Sequence, residues 1–439
     1  MVKPPLTSPS FCPAPWTTLA SSNDGCVQLC CRALKPLVDE SGLPLPFANS
    51  SFESIWNGTG YQNARAAMLR GDRLPYCGRC YQEEERGLVS RRQRSIENNL
   101  RQRGPEAFQD WLGRLQSEGG QTQERPSHVE VRLGSKCNLR CRICAPEFSQ
   151  LIRKAMEQLT QQGSMLPEFY RENLKLSQSR DDQSWQVDYV EKILANSSSI
   201  NSMYFAGGEP LITAAYQRLV DEVIKSGDAG HISLTVNTNG TIATPYWLEA
   251  FEAFESVELY VSLDGIGPSV EYQRTGLSWP VVADNIQKFL NIDQNIRVKI
   301  FPTLSILNIA EIGSLLSWYG ELQGKHRPDS LTLQVNVLHT PRFLQAVLLP
   351  HEHVSEIRSQ VDEIARSFPT FQTDDGLSAI NKIQTVLNQC GQKEFTKEIK
   401  ELLAYTELMD SHYDQKLADH CPATGRVFRT LNNSIGCCE

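Results

Sequence analysis

No stretch of this 439-residue sequence approaches the ~20 consecutive apolar residues that a membrane-spanning helix needs. The opening MVKPPLTSPSFCPAPW has one Lys and no apolar run behind it, so an export signal is not expected and the chain is assigned to the cytoplasm. There is no internal repeat. Positive charge is in the minority: 43 Lys and Arg face 51 Asp and Glu, a net charge of −8. Such a balance disfavours a nucleic-acid backbone as the main partner. With 40% hydrophobic and 21% charged residues, the chain is neither disordered nor collagen-like. At about 150 residues per domain, its length predicts two or three domains.

What the sequence does have is cysteine, 13 in all. An odd count without an export signal argues against a secreted disulfide scaffold. The thiols are grouped: Cys12, Cys26, Cys30 and Cys31; Cys77 and Cys80; Cys137, Cys141 and Cys144; Cys421, Cys437 and Cys438. Cys390 stands alone and reads as a small buried hydrophobe. Grouped thiols in a reducing compartment point to metal binding or chemistry.

The middle of the chain alternates between two periods. Strands are expected at Val129–Leu133, MYFA (203–206), ISLTV (232–236), VELYVSL (257–263), VKIF (298–301) and LTLQVNV (331–337). Helical patterns between them begin at Tyr216, Tyr246, Val281 and Ile309. Strand–helix alternation implies a parallel α/β sheet. Six strands are too few for a full eight-fold barrel and suit a partial (β/α)6 TIM-type barrel. The first crossover, 146–199, is long enough for extra helices and an exposed loop. Residues 1–90, rich in Pro, Gly, Ser and Cys, read as a small domain stapled by metal. A charged helical segment bridges it to the first strand. Residues 352–412 read as amphipathic helices, followed by a turn-rich tail.

Directly after the first strand comes GSKCNLRCRIC, which places Cys137, Cys141 and Cys144 in a C-x3-C-x2-C loop. Three thiolates can hold three irons of a cubane cluster and leave the fourth open, whereas an electron carrier uses four. An open metal position makes room for a substrate or cofactor. The competing reading is a structural zinc loop, which normally has two CxxC pairs.

This loop resembles that of the radical S-adenosylmethionine enzymes. The resemblance implies a 4Fe–4S cluster whose open iron is chelated by S-adenosylmethionine. Reductive cleavage then yields a 5′-deoxyadenosyl radical that abstracts hydrogen from substrate. Further motifs match. AGGEP ends the second strand, and the resemblance gives Gly207, Gly208, Glu209 and Pro210 to the methionine amino group. Paired glycines allow close backbone approach, and a carboxylate can accept from an ammonium. Ser262 and Asp264 of SLDG take the position that contacts ribose or carboxylate. Arg274 is either a partner of the methionine carboxylate or a solvated side chain. Ile143 stands where relatives often have an aromatic beside adenine.

Near the N-terminus, FCPAPW, DGCVQLCC, ESIWN and PYCGRCYQEEE resemble a SPASM or twitch auxiliary-cluster domain. The resemblance makes Cys12, Cys30, Cys77 and Cys80 ligands of a second iron–sulfur cluster, expected to be 4Fe–4S, with Cys31 able to exchange roles with Cys30. A zinc ribbon is the alternative. In most such enzymes this domain follows the barrel; here it precedes it. The implied boundaries are 1–92 for the auxiliary domain, 93–125 for a helical linker, 126–345 for the partial barrel, and 346–439 for C-terminal helices and a cysteine-containing tail.

The resemblance implies a peptide or protein substrate, modified after ribosomal synthesis by crosslinking, epimerisation or backbone excision. It also implies an external flavodoxin- or ferredoxin-type electron donor and a separate leader-recognition protein. A small-molecule dehydrogenase or dehydratase acting on a sugar alcohol is the second reading, and a non-enzymatic metal scaffold the third. Cys437 and Cys438 are candidate hydrogen donors if the tail docks through Val427, Phe428 and Leu431.

Overall fold

The computed structural model describes residues 8–48, 50–85, 87, 89–177, 185–292, 295–391 and 395–436. The strands are β1 (Thr18–Ser21), β2 (Val27–Gln28), β3 (His128–Arg132), β4 (Ser202–Ala206), β5 (Ser233–Thr238), β6 (Ser256–Val261), β7 (Ile296–Ile300) and β8 (Leu331–Leu333). Within the first of two compact units the strand order is β4-β3-β1-β2, and within the second β8-β7-β6. The pairs β1–β3, β3–β4, β6–β7 and β7–β8 are parallel, and the β1–β2 hairpin is antiparallel. The six expected strands are present, joined by two from the N-terminal segment. Those two were hidden because TLAS is four residues long and buried throughout, leaving no alternation to read.

By compactness the chain divides into two units. The first comprises Met1–Gly134, Arg180–Gly207 and Thr213–Leu234. Its core gathers Trp16, Trp56, Tyr61 and Trp111, all buried. Arg65 is buried among them, its guanidinium 4.7 Å from the Trp56 ring and its Nε donating to the Pro15 carbonyl at 2.8 Å. Helix Arg91–Arg103 opens with a capping box in which Ser90 and Gln93 satisfy each other's backbone N–H. Tyr189 and Tyr216 pin the sheet by donating to the carbonyls of Glu130 and Val131 at 3.1 and 2.9 Å.

The second unit comprises Ser135–Ser179, Gly208–Ile212 and Thr235–Glu439. In β6, Val257, Leu259 and Val261 are buried while the alternate residues Ser256, Glu258 and Tyr260 are half-buried. A parallel strand covered on both faces reads as a continuous apolar run. This alternation instead marks a sheet with one polar face, on which Lys299 pairs with Glu258 at 2.8 Å. The apolar face is covered by helices Pro245–Glu252, Trp279–Leu290 and Ile312–Gln323. Each fully buried Val, Leu or Ile there contributes about 1.5–3 kcal/mol.

Two expectations need correction. LTLQVNV is not one strand: β8 ends at Leu333, and Asn336–Val337 pairs instead with Thr303–Leu304. The C-terminal segment is not a turn-rich tail, because Pro422–Gly436 is helical. Pro is favoured at a helix start, where its missing N–H costs nothing. Glu311 accepts from the first-turn N–H groups of Ala423 and Thr424 at 2.8 and 3.2 Å. Val427, Phe428 and Leu431 are buried, as docking requires. Cys437 and Cys438 lie outside the described residues.

Candidate functional site

The three-cysteine loop lies wholly in the second unit. Arg140–Cys141 forms a two-residue antiparallel bridge with Arg274–Thr275, and Arg142 N–H donates to the Gln273 carbonyl at 2.8 Å. Behind the loop, Ser149 caps helix Gln150–Gln161. The bridge sets Arg274 beside the thiols, its Nη1 3.7 Å from Cys141 Sγ. Its Nη2 is 2.7 Å from Asp264 Oδ2, and Asp264 Oδ1 accepts from Thr303 N–H at 2.7 Å. Burial pushes the Cys141 thiol up to about 11 and those of Cys137 and Cys144 upward, Arg274 opposing the rise in each. The thiols lie within electrostatic reach of one another.

AGGEP packs against the same loop. Gly208 has φ +53°, and a Cβ on it would stand 2.1 Å from the Lys136 carbonyl. Gly207, at φ +89°, would likewise meet the Gly134 carbonyl at 3.0 Å. No side chain fits either place. Glu209 N–H donates to Lys136 O at 2.8 Å. The Glu209 carboxylate is fully buried and accepts from Thr238 Oγ1 (2.8 Å), Asn239 N–H (2.7 Å) and Leu211 N–H (3.1 Å). Burial pushes its carboxyl up to about 7 against the pull of those donors. Glu209 is therefore a clamp within the protein before it meets any ligand. Pro210 is buried at the start of the short helix Pro210–Ile212, Ile143 and Ser262 are half-buried, and Ser262 N–H donates to Thr238 O at 2.8 Å.

Sequence reasoning missed several participants. Asn239 Nδ2 donates to Asn138 Oδ1 at 2.8 Å, and Asn138 Nδ2 to Thr241 Oγ1 at 2.8 Å, tying the cysteine loop to the end of β5. NTNGT (237–241) could have been flagged as a polar strand end following AGGEP by one strand. Arg142 was also passed over. It is buried, paired with Asp410 at 2.8 Å, and stacked 3.8 Å above Tyr272.

In the first unit, Cys12 precedes the turn Ala14–Thr17, Cys77 ends the short helix Pro75–Cys77, and Cys80 lies in helix Gly78–Glu85. Cys12, Cys77 and Cys80 are mutually within electrostatic reach, and Cys30 reaches Cys12 and Cys31. Burial raises the Cys12 thiol to about 11, Cys77 to about 12, and Cys30 and Cys31 upward. Cys31 N–H donates to the Glu130 carboxylate, which Arg91 also pairs. Cys26 is set apart, its Sγ 3.5 Å from Asp24 Oδ2. The described cysteines are all free thiols. Among the described residues no three His, Cys, Asp or Glu side chains converge on one metal-ion position. A cubane distributes its thiolates over separate irons, so ligands on one tight loop need not converge on a point.

A mostly parallel open sheet, a three-thiol loop after a strand and a glycine pair against that loop define a class. The chain carries a radical S-adenosylmethionine domain preceded by a SPASM-like domain. The Radical SAM superfamily model matches residues 131–318, and the SPASM iron–sulfur cluster-binding domain model matches residues 12–81. Its cofactors are a 4Fe–4S cluster with an open site, an auxiliary iron–sulfur cluster and S-adenosylmethionine. Molybdenum cofactor biosynthesis protein 1 of Dictyostelium discoideum is 28% identical over 175 residues, 40% of this chain. The match spans 23% of that relative's length. Among solved structures, Streptococcus suis SuiB bound to precursor peptide SuiA aligns at 12% identity over 66% of this chain and 60% of that one, with a TM-score of 0.37. TYW1 with a lysine–pyruvate adduct aligns at 16% identity over 54% and 73%, with a TM-score of 0.32. No helix among the described residues is long and apolar enough to cross a membrane.

The residues present fit these groups. Arg274 Nε is a buried donor without a partner among the described residues, on the guanidinium whose Nη1 stands beside the Cys141 sulfur. The glycine pair leaves a backbone surface that a Cβ would fill.

Proposed function

We propose that the chain acts on a peptide or protein substrate, abstracting hydrogen to crosslink, epimerise or excise part of a ribosomally made precursor. The observation that carries the radical site is the triad itself: three thiols on one loop, with Arg274 alongside and Glu209 clamping the AGGEP segment that packs against it. When bound, the cluster and S-adenosylmethionine supply a 5′-deoxyadenosyl radical. Cys137, Cys141 and Cys144 hold the iron. AGGEP would receive the methionine ammonium, Arg274 would pair with the carboxylate, Ser262 and Asp264 would contact ribose or carboxylate, and Ile143 would offer an apolar contact to the adenine.

The peptide reading is supported by the SPASM-matched segment, since SPASM and twitch relatives act mainly on peptides. Cys12, Cys30, Cys77 and Cys80 hold the auxiliary cluster. In this reading the segments 1–92, 93–125, 126–345 and 346–439 serve as auxiliary domain, linker, barrel and C-terminal cover. A flavodoxin- or ferredoxin-type donor supplies electrons, a separate protein recognises the leader, and the reducing cytoplasm keeps the thiols free. One observation favours the second reading, a small-molecule substrate: the curated relative is named for cofactor biosynthesis. Anaerobic incubation with a candidate precursor peptide, S-adenosylmethionine and reductant, read by tandem mass spectrometry, separates the two. A mass change localised to a peptide residue supports the first. Deoxyadenosine formed only with a small-molecule alcohol overturns it.

A further inference from the structure

Three tyrosines lie within electrostatic reach of Cys144: Tyr170, Tyr405 and Tyr413. Two of them are satisfied. Tyr405 donates to the Arg142 carbonyl at 2.7 Å, Tyr170 lies 3.1 Å from that oxygen, and their hydroxyls are 3.0 Å apart. Their rings stack 5.1 Å apart at 9°. The third is different. The Tyr413 hydroxyl is buried and has no hydrogen-bond partner among the described residues.

Its ionisable neighbours are two arginines and two thiols. Arg142 lies 5.9 Å from the Tyr413 ring, but its guanidinium only donates, and it is already engaged by Asp410 (2.8 Å) and Gln415 (3.0 Å). Asp410 is engaged too, by Tyr272 (2.7 Å) and Leu417 N–H (3.0 Å). Of the ionisable groups acting on Tyr413, namely Arg140, Arg142, Cys141 and Cys144, only the two sulfurs can accept. A buried hydroxyl left unpaired costs about 1–3 kcal/mol. Such a group requires an explanation.

We infer that Tyr413 donates a hydrogen bond to a sulfur of the cluster held by Cys137, Cys141 and Cys144, and so raises that cluster's reduction potential. The inference rests on the assignment of the triad above. Hydrogen bonds to cluster sulfurs are among the determinants of iron–sulfur potentials. A donor stabilises the reduced state, which carries one more negative charge. A tyrosine hydroxyl ordinarily titrates at about 10, so it carries its proton at neutral pH. Arg142 and Asp410 are positioning residues: they anchor helix Thr396–Tyr413 to the loop that carries the thiols.

The test is a redox titration of the full, anaerobically reconstituted chain, followed by electron paramagnetic resonance of the reduced radical cluster. Tyr413→Phe is expected to lower the reduction equilibrium constant about tenfold, which is about 59 mV for one electron. Iron content stays at the wild-type level. Tyr405→Phe, which removes a hydroxyl bonded to the Arg142 carbonyl while Tyr170 still holds that oxygen at 3.1 Å, is expected to leave the potential in place. Equal potentials in wild type and Tyr413→Phe overturn the inference, and so does an equal shift in both variants. Electron–nuclear double resonance on the wild type alone decides the matter if the Phe variant fails to hold iron. A strongly coupled exchangeable proton, lost in D2O, supports the inference, and its absence overturns it. A wild-type chain with no reducible cluster at the triad defeats the site assignment instead, and shows this before any variant is compared.

Discussion

Arg274 Nη1 stands 3.7 Å from the Cys141 sulfur, held there by an ion pair of 2.7 Å between its Nη2 and Asp264. One guanidinium therefore links the thiol loop after β3 to the SLDG segment after β6. Asp264→Asn keeps the shape and removes the charge. We expect it to weaken S-adenosylmethionine binding about tenfold or more, since a hydrogen bond to a charged group is worth about 1.5–3 kcal/mol. Iron content is expected to hold. Calorimetric titration with metal analysis checks both, and unchanged affinity assigns the pair to structure alone.

Cys137, Cys141 and Cys144 replaced together by Ala are expected to abolish 5′-deoxyadenosine formation and leave the auxiliary iron bound. Chromatography of the nucleoside product and iron counting read the two halves separately. Undiminished cleavage sinks the assignment of the triad.

Glu209 makes a prediction in pH. Its carboxyl lies near 7 in the folded chain against 4.5 ordinarily, so between those values the folded state binds more protons than the unfolded. Its contribution to stability is full below about 4.5 and is lost as pH rises through about 7. Glu209→Gln should remove that part of the slope in urea melts from pH 5 to 8. Glu209→Ala should cost more, because it strands the donors of Thr238, Asn239 and Leu211, at about 1–3 kcal/mol for each buried group.

The auxiliary thiols are expected to behave as a set. Losing Cys12, Cys30, Cys77 or Cys80 should each cost iron and destabilise the first unit, as in small metal-supported domains. Retention of the cluster by Cys30→Ala together with its loss by Cys31→Ala moves the ligand by one position. Zinc in anaerobically purified protein favours the ribbon.

Truncation before Cys421 removes the buried side chains of Val427, Phe428 and Leu431. At about 1.5–3 kcal/mol each, the loss is expected to be several kcal/mol, visible as a lower urea midpoint. A truncated chain with the wild-type midpoint refutes the docking of this helix.

The sequence disclosed the repetitive part of the fold because each barrel strand alternates or carries a short apolar run, as in Val257–Leu259–Val261. It disclosed the thiol loop and AGGEP because their spacing is local. It did not disclose β1, which is too short to show a period, or helix Pro422–Gly436, whose Thr, Gly and Asn residues imitate a turn and whose start depends on Glu311, 112 residues away in sequence. Nor did it disclose the role of Arg142, since a lone arginine between two cysteines has no pattern until Asp410 and Tyr272 are folded around it.

That last arrangement bears on how the enzyme is made. The Arg142 carbonyl is held by Tyr405, which is 263 residues later in the chain. While the polypeptide is being synthesised, the thiol loop leaves the ribosome long before the helix that braces it exists. The bracing of the thiol loop is thus completed only when most of the protein has been translated. The thiols of residues 12–80, by contrast, are all available before the first barrel strand has emerged.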